Sequence, residues 1–329
     1  MTAMTKRERL EATIHGEATD RPPVALWRHF PGDDQDPEAL AASTLAFQRQ
    51  YDFDFIKVMP ASSSCIRDWG VEDVWEGNQE GTRRYIHRPV CEPEDWLTLR
   101  PLDPERGALG DQLRCLELIR RAVGEETPFI HTIFNPLSQA KNLAGPERLI
   151  VHLRYYPEAV LAGLETIAVT TERFIAAARK RGISGIFLAV QHATVEILGE
   201  EEYRRFGVPF DRRLLAAAEG LWLNVLHIHG SHIMFGLLAD YPVQVVNWHD
   251  RETPPSLREG QERFGGAVLG GLSRWETMLR GTPADVRREA QDAFAQTGGR
   301  RFILGTGCVT PITAPWANLR AARQAVETG

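Results

Sequence analysis

The stretch "LWLNVLHIHGSH" at residues 221–232 ends an apolar run on His227 and His229, with His232 just beyond. Side chains two apart on a strand share a face, so His227 and His229 can offer ring nitrogens to one ion from the end of a buried strand. His232 lies past the strand and is the weaker ligand candidate. Much later in the chain, "GTGCVTP" at 305–311 sets Cys308 among turn residues after another apolar run. Two imidazoles and one thiolate are donor types that zinc prefers, and a catalytic zinc keeps a position for water, substrate or a displaceable carboxylate. Asp250 or Glu252 could supply that carboxylate. Taken singly, a strand-end histidine is more often a hydrogen-bonded structural residue, and a cysteine a small buried hydrophobe. A metal is expected only if the fold brings His227, His229 and Cys308 to one place.

The elements that could do so alternate regularly. Short β-rich apolar runs fall at 23–27, 54–59, 129–134, 184–190, 221–229, 243–248, 266–271 and 301–307, separated by longer amphipathic segments. An opening helix is signalled by the capping box Thr5 to Glu8 and stops at Gly16. Eight strands each followed by a helix predict a (β/α)8 TIM barrel forming one domain over residues 1–329. An open doubly wound sheet would fit the same alternation, but "GGAVLGG" at 265–271 places its glycines around a strand rather than after one, a weak match to a dinucleotide loop and a better one to a tightly packed seventh strand. Residues 61–105, with "GTRRYIHRPV" as a hairpin arm, are expected to form an insertion after the second strand, over the barrel mouth or in a homodimer interface.

In such a barrel the chemistry sits at the carboxyl ends of the strands. Those ends carry Trp27, Arg28 and His29; Met59; Asn135; Gln191 and His192; His227 and His229; His249 and Asp250; Ser273; and Cys308. His87, His131, Cys65, Cys91 and Cys115 are expected to be structural.

Composition narrows the function classes. With a net charge of −6, the chain has no electrostatic footprint for nucleic acid. No apolar run approaches the roughly 18 residues of a membrane helix. The charged start "MTAMTKRERLEATIHG" does not read as a secretory signal, so a cytoplasmic protein is expected. The 4 cysteines lie far apart and lack CxxC spacing, which argues against both a disulfide scaffold and a self-contained zinc ribbon.

The chain resembles the uroporphyrinogen decarboxylase superfamily, which includes cobalamin-dependent methyltransferases built on a (β/α)8 barrel. The resemblance lies in "RERLEATIHGEATDRPPV", "DFIKVMP", "EEYRRFGVPFDRRLL", "LHIHG", "GTPADVRREA" and "GTGCVTPITAPWANLRA", in that order over nearly the whole chain. The decarboxylase pattern matches poorly. Arg28 fits its first arginine, but Gly32 replaces the second, Phe55 takes the place of a pyrrole-binding aspartate beside Asp54, and Thr306 replaces a histidine. The methyltransferase branch uses His-x-Cys and a later cysteine to bind zinc; His227 and Cys308 match, and His229 replaces the middle cysteine. An imidazole in place of a thiolate makes the site one charge more positive, a stronger Lewis acid less dedicated to thiols.

The resemblance therefore implies a zinc-dependent methyltransferase or demethylase, moving a methyl group between a small methylated substrate, such as a methoxy-aromatic, and a corrinoid. No corrinoid motif is present, so that cofactor is expected on a partner protein or free over the mouth. His192, Gln191 and Arg28 are the expected catalytic residues, and Trp27, His29, Met59, Asn135, His249 and Asp250 the expected substrate contacts. A tetrapyrrole decarboxylase and a metal-binding barrel without catalysis are the alternatives.

Overall fold

The computed structural model describes residues 3–327. Its strands are β1 (Ile56–Val58), β2 (Glu72–Val74), β3 (Arg84–His87), β4 (Phe129–Phe134), β5 (Gly185–Val190), β6 (Val225–Ile228), β7 (Val245–Trp248), β8 (Ala267–Leu272) and β9 (Phe302–Thr306). Seven of them form one parallel sheet in the order β1-β4-β5-β6-β7-β8-β9. Apart from the β2/β3 pair, neighbours in the sheet are therefore neighbours in the chain. Helices such as Pro157–Lys180 and Pro283–Thr297 connect them. The result is a curled, TIM-barrel-like α/β layer.

The expected first strand, 23–27, is reduced to a single parallel bridge between Val24 and Leu304. Pro22 and Pro23 have no N–H to give to a ladder. The segment still carries backbone bonds on both sides: Ala25 N to Leu304 O and Leu304 N to Pro23 O, and Asp54 N to Val24 O, each 2.9 Å. The two edges of the sheet, β9 and the residues just before β1, are thus linked through an extended segment and not through an eighth strand. Between β1 and β4, β3 lies within the expected hairpin arm and pairs antiparallel with β2.

Both faces of the parallel sheet are buried, as crossover helices require. The period of two sorts each strand between two apolar clusters. In β6, Val225 belongs to the inner cluster with Trp27, Met59 and Phe187, whereas Leu226 and Ile228 join the outer one under the helices. His227 shares the inward face of Val225. Gly185, which opens β5, is pressed against the next segment: an added Cβ would lie 1.8 Å from the Leu223 carbonyl oxygen. Because the obstacle is backbone, Gly185→Ala is expected to destabilise the protein by about 1–3 kcal/mol, read as a lower urea midpoint.

Candidate metal centre

At the carboxyl ends of β6, β7 and β9, four side chains converge: His227, His229, His249 and Cys308, with one ligand atom of each within 4.8 Å of the others. The His229 Nδ1 atom is 3.4 Å from His227 Nε2, 3.2 Å from His249 Nε2 and 3.7 Å from Cys308 Sγ.

The outer partners fix which nitrogens face inward. The Asn247 amide nitrogen donates to the carbonyls of Leu269 at 2.8 Å and Thr306 at 3.1 Å, so its oxygen is the atom 2.7 Å from His227 Nδ1. That oxygen can only accept, so His227 carries its proton on Nδ1 and turns the Nε2 lone pair toward the cluster. A Glu252 oxygen stands 3.3 Å from His249 Nδ1 and does the same for His249. Glu252 is in turn held by Arg274 Nε at 3.2 Å. With neutral rings, the two inward lone pairs can be served by protons on His229 Nδ1 and on the Cys308 thiol. A metal cation would engage all four donors at once, and the acceptors behind His227 and His249 are of the kind that orient metal-binding histidines.

Burial favours neutral rings at His227, which is driven well below its ordinary pKa, and at His229, which comes down to about 4, whereas at His249 burial is outweighed by the hydrogen bonds to Cys308 and Glu252, which raise it. Burial works to raise the Cys308 thiol, but the hydrogen bond and charge of His249, with the charge of Arg274, outweigh it and bring it below its ordinary value. Asn247→Ala removes the acceptor behind His227 and is expected to weaken metal affinity by about 10–100-fold. Competition with a chromophoric chelator reads this, and unchanged affinity would refute the orienting role.

The cluster opens onto a cleft of about 240 Å3. Of the residues expected at the site, Trp27, His29, Met59 and Gln191 line it together with His227, His229 and Cys308. The others, His249 apart, go elsewhere. Asn135 caps the helix Pro136–Ala144, accepting from Ser138 N at 3.0 Å, and donates to Asp211 at 2.8 Å. The Arg28 guanidinium lies over Phe30 and Phe47 and donates to the Ile312 carbonyl at 2.9 Å. His192 is buried beside the cleft without lining it. Asp250 turns to the backbone N–H of Gly271 at 3.0 Å, while its neighbour His249, expected as a substrate contact, points into the cluster. The fourth group at the centre is therefore an imidazole, with Glu252 behind it and Asp250 turned away.

The cleft also holds groups that the strand-end survey passed over, notably Lys57 and Lys141, along with Glu80 and Arg83 from the hairpin region. Lys57 had a signal: the period of two puts it on the inner face with Phe55 and Met59. Burial pushes its ammonium down to about 7, and that of Lys141 to about 8.

A curled parallel sheet with its polar cleft at the strands' carboxyl ends places the protein among TIM-barrel-like α/β proteins. Within that class the chain belongs to the uroporphyrinogen decarboxylase (URO-D) family, whose model matches residues 5–329. It stands nearer the methyltransferase branch than the true decarboxylases. The methylcobamide:CoM methyltransferase MtbA of Methanosarcina acetivorans is 22% identical over 335 residues, covering 97% of each chain. A uroporphyrinogen decarboxylase of Syntrophotalea carbinolica is 27% identical but over 245 residues, 69% of each. Among solved structures, a methyltransferase from Methanosarcina mazei superposes with a TM-score of 0.87 at 19% identity, covering 99% of both chains.

Proposed function

We propose that the chain is a zinc-dependent methyltransferase or demethylase that moves a methyl group between a small methylated substrate and a corrinoid. His227, His229 and Cys308 are the ligands, joined by His249. The observation that carries this reading is the inward convergence of three imidazole nitrogens and a sulfur, two of the nitrogens oriented by Asn247 and Glu252. Zinc bound there would supply Lewis acidity at the substrate heteroatom that keeps the bonding pair when its methyl group departs.

The protein's own side chains do the rest. Trp27, Phe134 and Phe187 offer apolar walls to an aryl group, which supports a methoxy-aromatic substrate. Gln191, held by Lys141 at 2.9 Å, presents an amide to its polar substituents. The relatives named for cobamide chemistry support a corrinoid as the other methyl carrier, brought by a partner protein over the cleft. Residues 1–329 are read as one barrel domain.

Two measurements test this. Elemental analysis should find about one zinc per chain. Mixing with Co(I) cobalamin and a panel of methoxy-aromatics, methylamines and thioethers should give the spectrum of methylated cobalamin with at least one of them. Zinc without methyl transfer to any acceptor would favour a metal-binding barrel without catalysis, and absence of zinc would overturn the proposed site.

A further inference from the structure

Charges buried in a protein are ordinarily paired, and around this cleft the arginines and acids obey that rule. Arg83 pairs with Asp73 at 2.6 Å and with Asp34 at 3.2 Å, and Glu80 pairs with Arg274. The two lysines do not. Among the described residues neither has a carboxylate in salt-bridge reach. Lys57 is 7% exposed, and its polar contact is the Met59 sulfur at 2.6 Å. Its ammonium stands 4.0 Å from the ring centre of Phe187 and 5.0 Å from that of Trp27. Ring faces attract a cation but do not replace a counterion. Lys141 meets the amide oxygen of Gln191. His29, buried on the same cleft, has a ring Nδ1 without a partner among the described residues.

We propose that Lys57, flanked by Trp27 and Phe187, anchors the acid group of the substrate, so that the methylated compound is an organic acid anion bearing a carboxylate or a sulfonate. This deepens the methyltransferase reading and rests on it for the identity of the reacting end. With the anion held at Lys57, on the inner face of β1, the rest of the molecule spans the cleft toward the His/Cys cluster. His29 and Lys141 lie on the same lining and add donors for the acid oxygens. The anion completes a charge balance that the protein leaves open: two cationic side chains and a neutral-to-positive metal centre face one small cavity without a free acid.

Isothermal titration of the zinc-loaded full chain near pH 7, with no corrinoid present, tests this with 4-methoxybenzoate, 4-methoxybenzenesulfonate and the neutral 4-methoxybenzamide. At least one anion should bind roughly tenfold tighter than the amide, the effect of one charge-assisted hydrogen bond. The arm that wins names the acid. The preference should vanish in Lys57→Met and persist in Lys57→Arg. Without ligand, Lys57→Met should melt at or above the wild-type temperature, because a buried amine lacking a counterion has been exchanged for a thioether of similar length.

Equal binding of anions and amide, no binding of any of the three, or a preference that survives in Lys57→Met would overturn the proposal. So would a Lys57→Met protein that melts several degrees lower, which would make the lysine structural. Anion preference without methyl transfer would defeat the methyltransferase reading alone. Methyl transfer from neutral and anionic donors alike would defeat the anion subsite alone.

Discussion

Cys308→Ala is expected to fall from about one zinc per chain to a small fraction of that after dialysis, and to lose methyl transfer by about three orders of magnitude or more. Cys308 is the one donor of the four that can bring a negative charge, and the upward push of burial on its thiol is outweighed by His249 and Arg274. Without it, three neutral imidazoles remain to hold a dication in a cleft whose other unpaired groups are cationic. The loss should come without unfolding. Cys308 is half-buried in the turn after β9, and that turn is held independently by the Thr306 hydroxyl donating to the Cys308 carbonyl at 2.5 Å and by Thr310 N bonding Trp27 O at 3.0 Å. Circular dichroism and the metal-free melting temperature should therefore match the wild type. His229→Ala should behave alike, since its Nδ1 is the atom that the other three surround.

His249→Ala supplies the contrast. A catalytic zinc keeps a position open to substrate, and four protein donors would fill a tetrahedral ion. If His249 occupies the position that a substrate heteroatom displaces, His249→Ala should retain about one zinc with weakened affinity. Loss as complete as in Cys308→Ala would make all four groups permanent ligands. Full zinc in both Cys308→Ala and His229→Ala would remove the proposed centre altogether.

What could be read from the sequence followed the period of two. Inside a strand that period is rigid, so the inward face shared by His227 and Val225, with Leu226 and Ile228 outward, was legible before any coordinates. Trp27, His29, Met59 and Gln191 likewise reach the cleft that their strand-end positions implied. Carried past Trp248, the same period puts His249 on the inward face of Val245 and Asn247 and Asp250 on the outward face of Val246 and Trp248, which is where they lie: His249 in the cluster, Asp250 on the N–H of Gly271. The place of His249 among the donors was thus legible too, although its strand-end position suggests a substrate contact. Asn135 did carry its own signal: asparagine followed by proline is a helix start, and the cap uses the side chain that the strand-end survey assigned to substrate. The expected first strand was lost to the paired prolines Pro22 and Pro23 at its start, for they remove donors without altering the apolar pattern.

The largest stability effect is expected far from the cleft, at Asp54. This carboxylate is fully buried just before β1, where it accepts from Arg9 Nη1 at 2.8 Å, from Arg21 Nη1 at 2.8 Å and Nη2 at 3.0 Å, and from the backbone N–H of Val24 at 2.8 Å. Its own N–H bonds Val24 O, so Asp54 holds both backbone groups of the residue that bridges to Leu304. The side chain thus ties together the opening helix, the extended segment 23–27 and β1, at the amino end of the sheet. Arg9 keeps a second partner in Asp20 at 2.7 Å, but Arg21 has no other carboxylate among the described residues. Asp54→Ala leaves a guanidinium largely uncompensated in a buried setting and frees the Val24 N–H, so a loss of about 3–5 kcal/mol is expected, read from urea midpoints near neutral pH. Because the pairs are buried, added salt should change that loss little. Asp54→Asn keeps one acceptor for Val24 and should recover only a part. Zinc content, measured below the unfolding range, should stay that of the wild type, since the cluster stands at the opposite ends of the strands. A loss under about 1 kcal/mol would mean that Arg21 finds water or another acceptor, and that the sheet edges are held by backbone bonds alone.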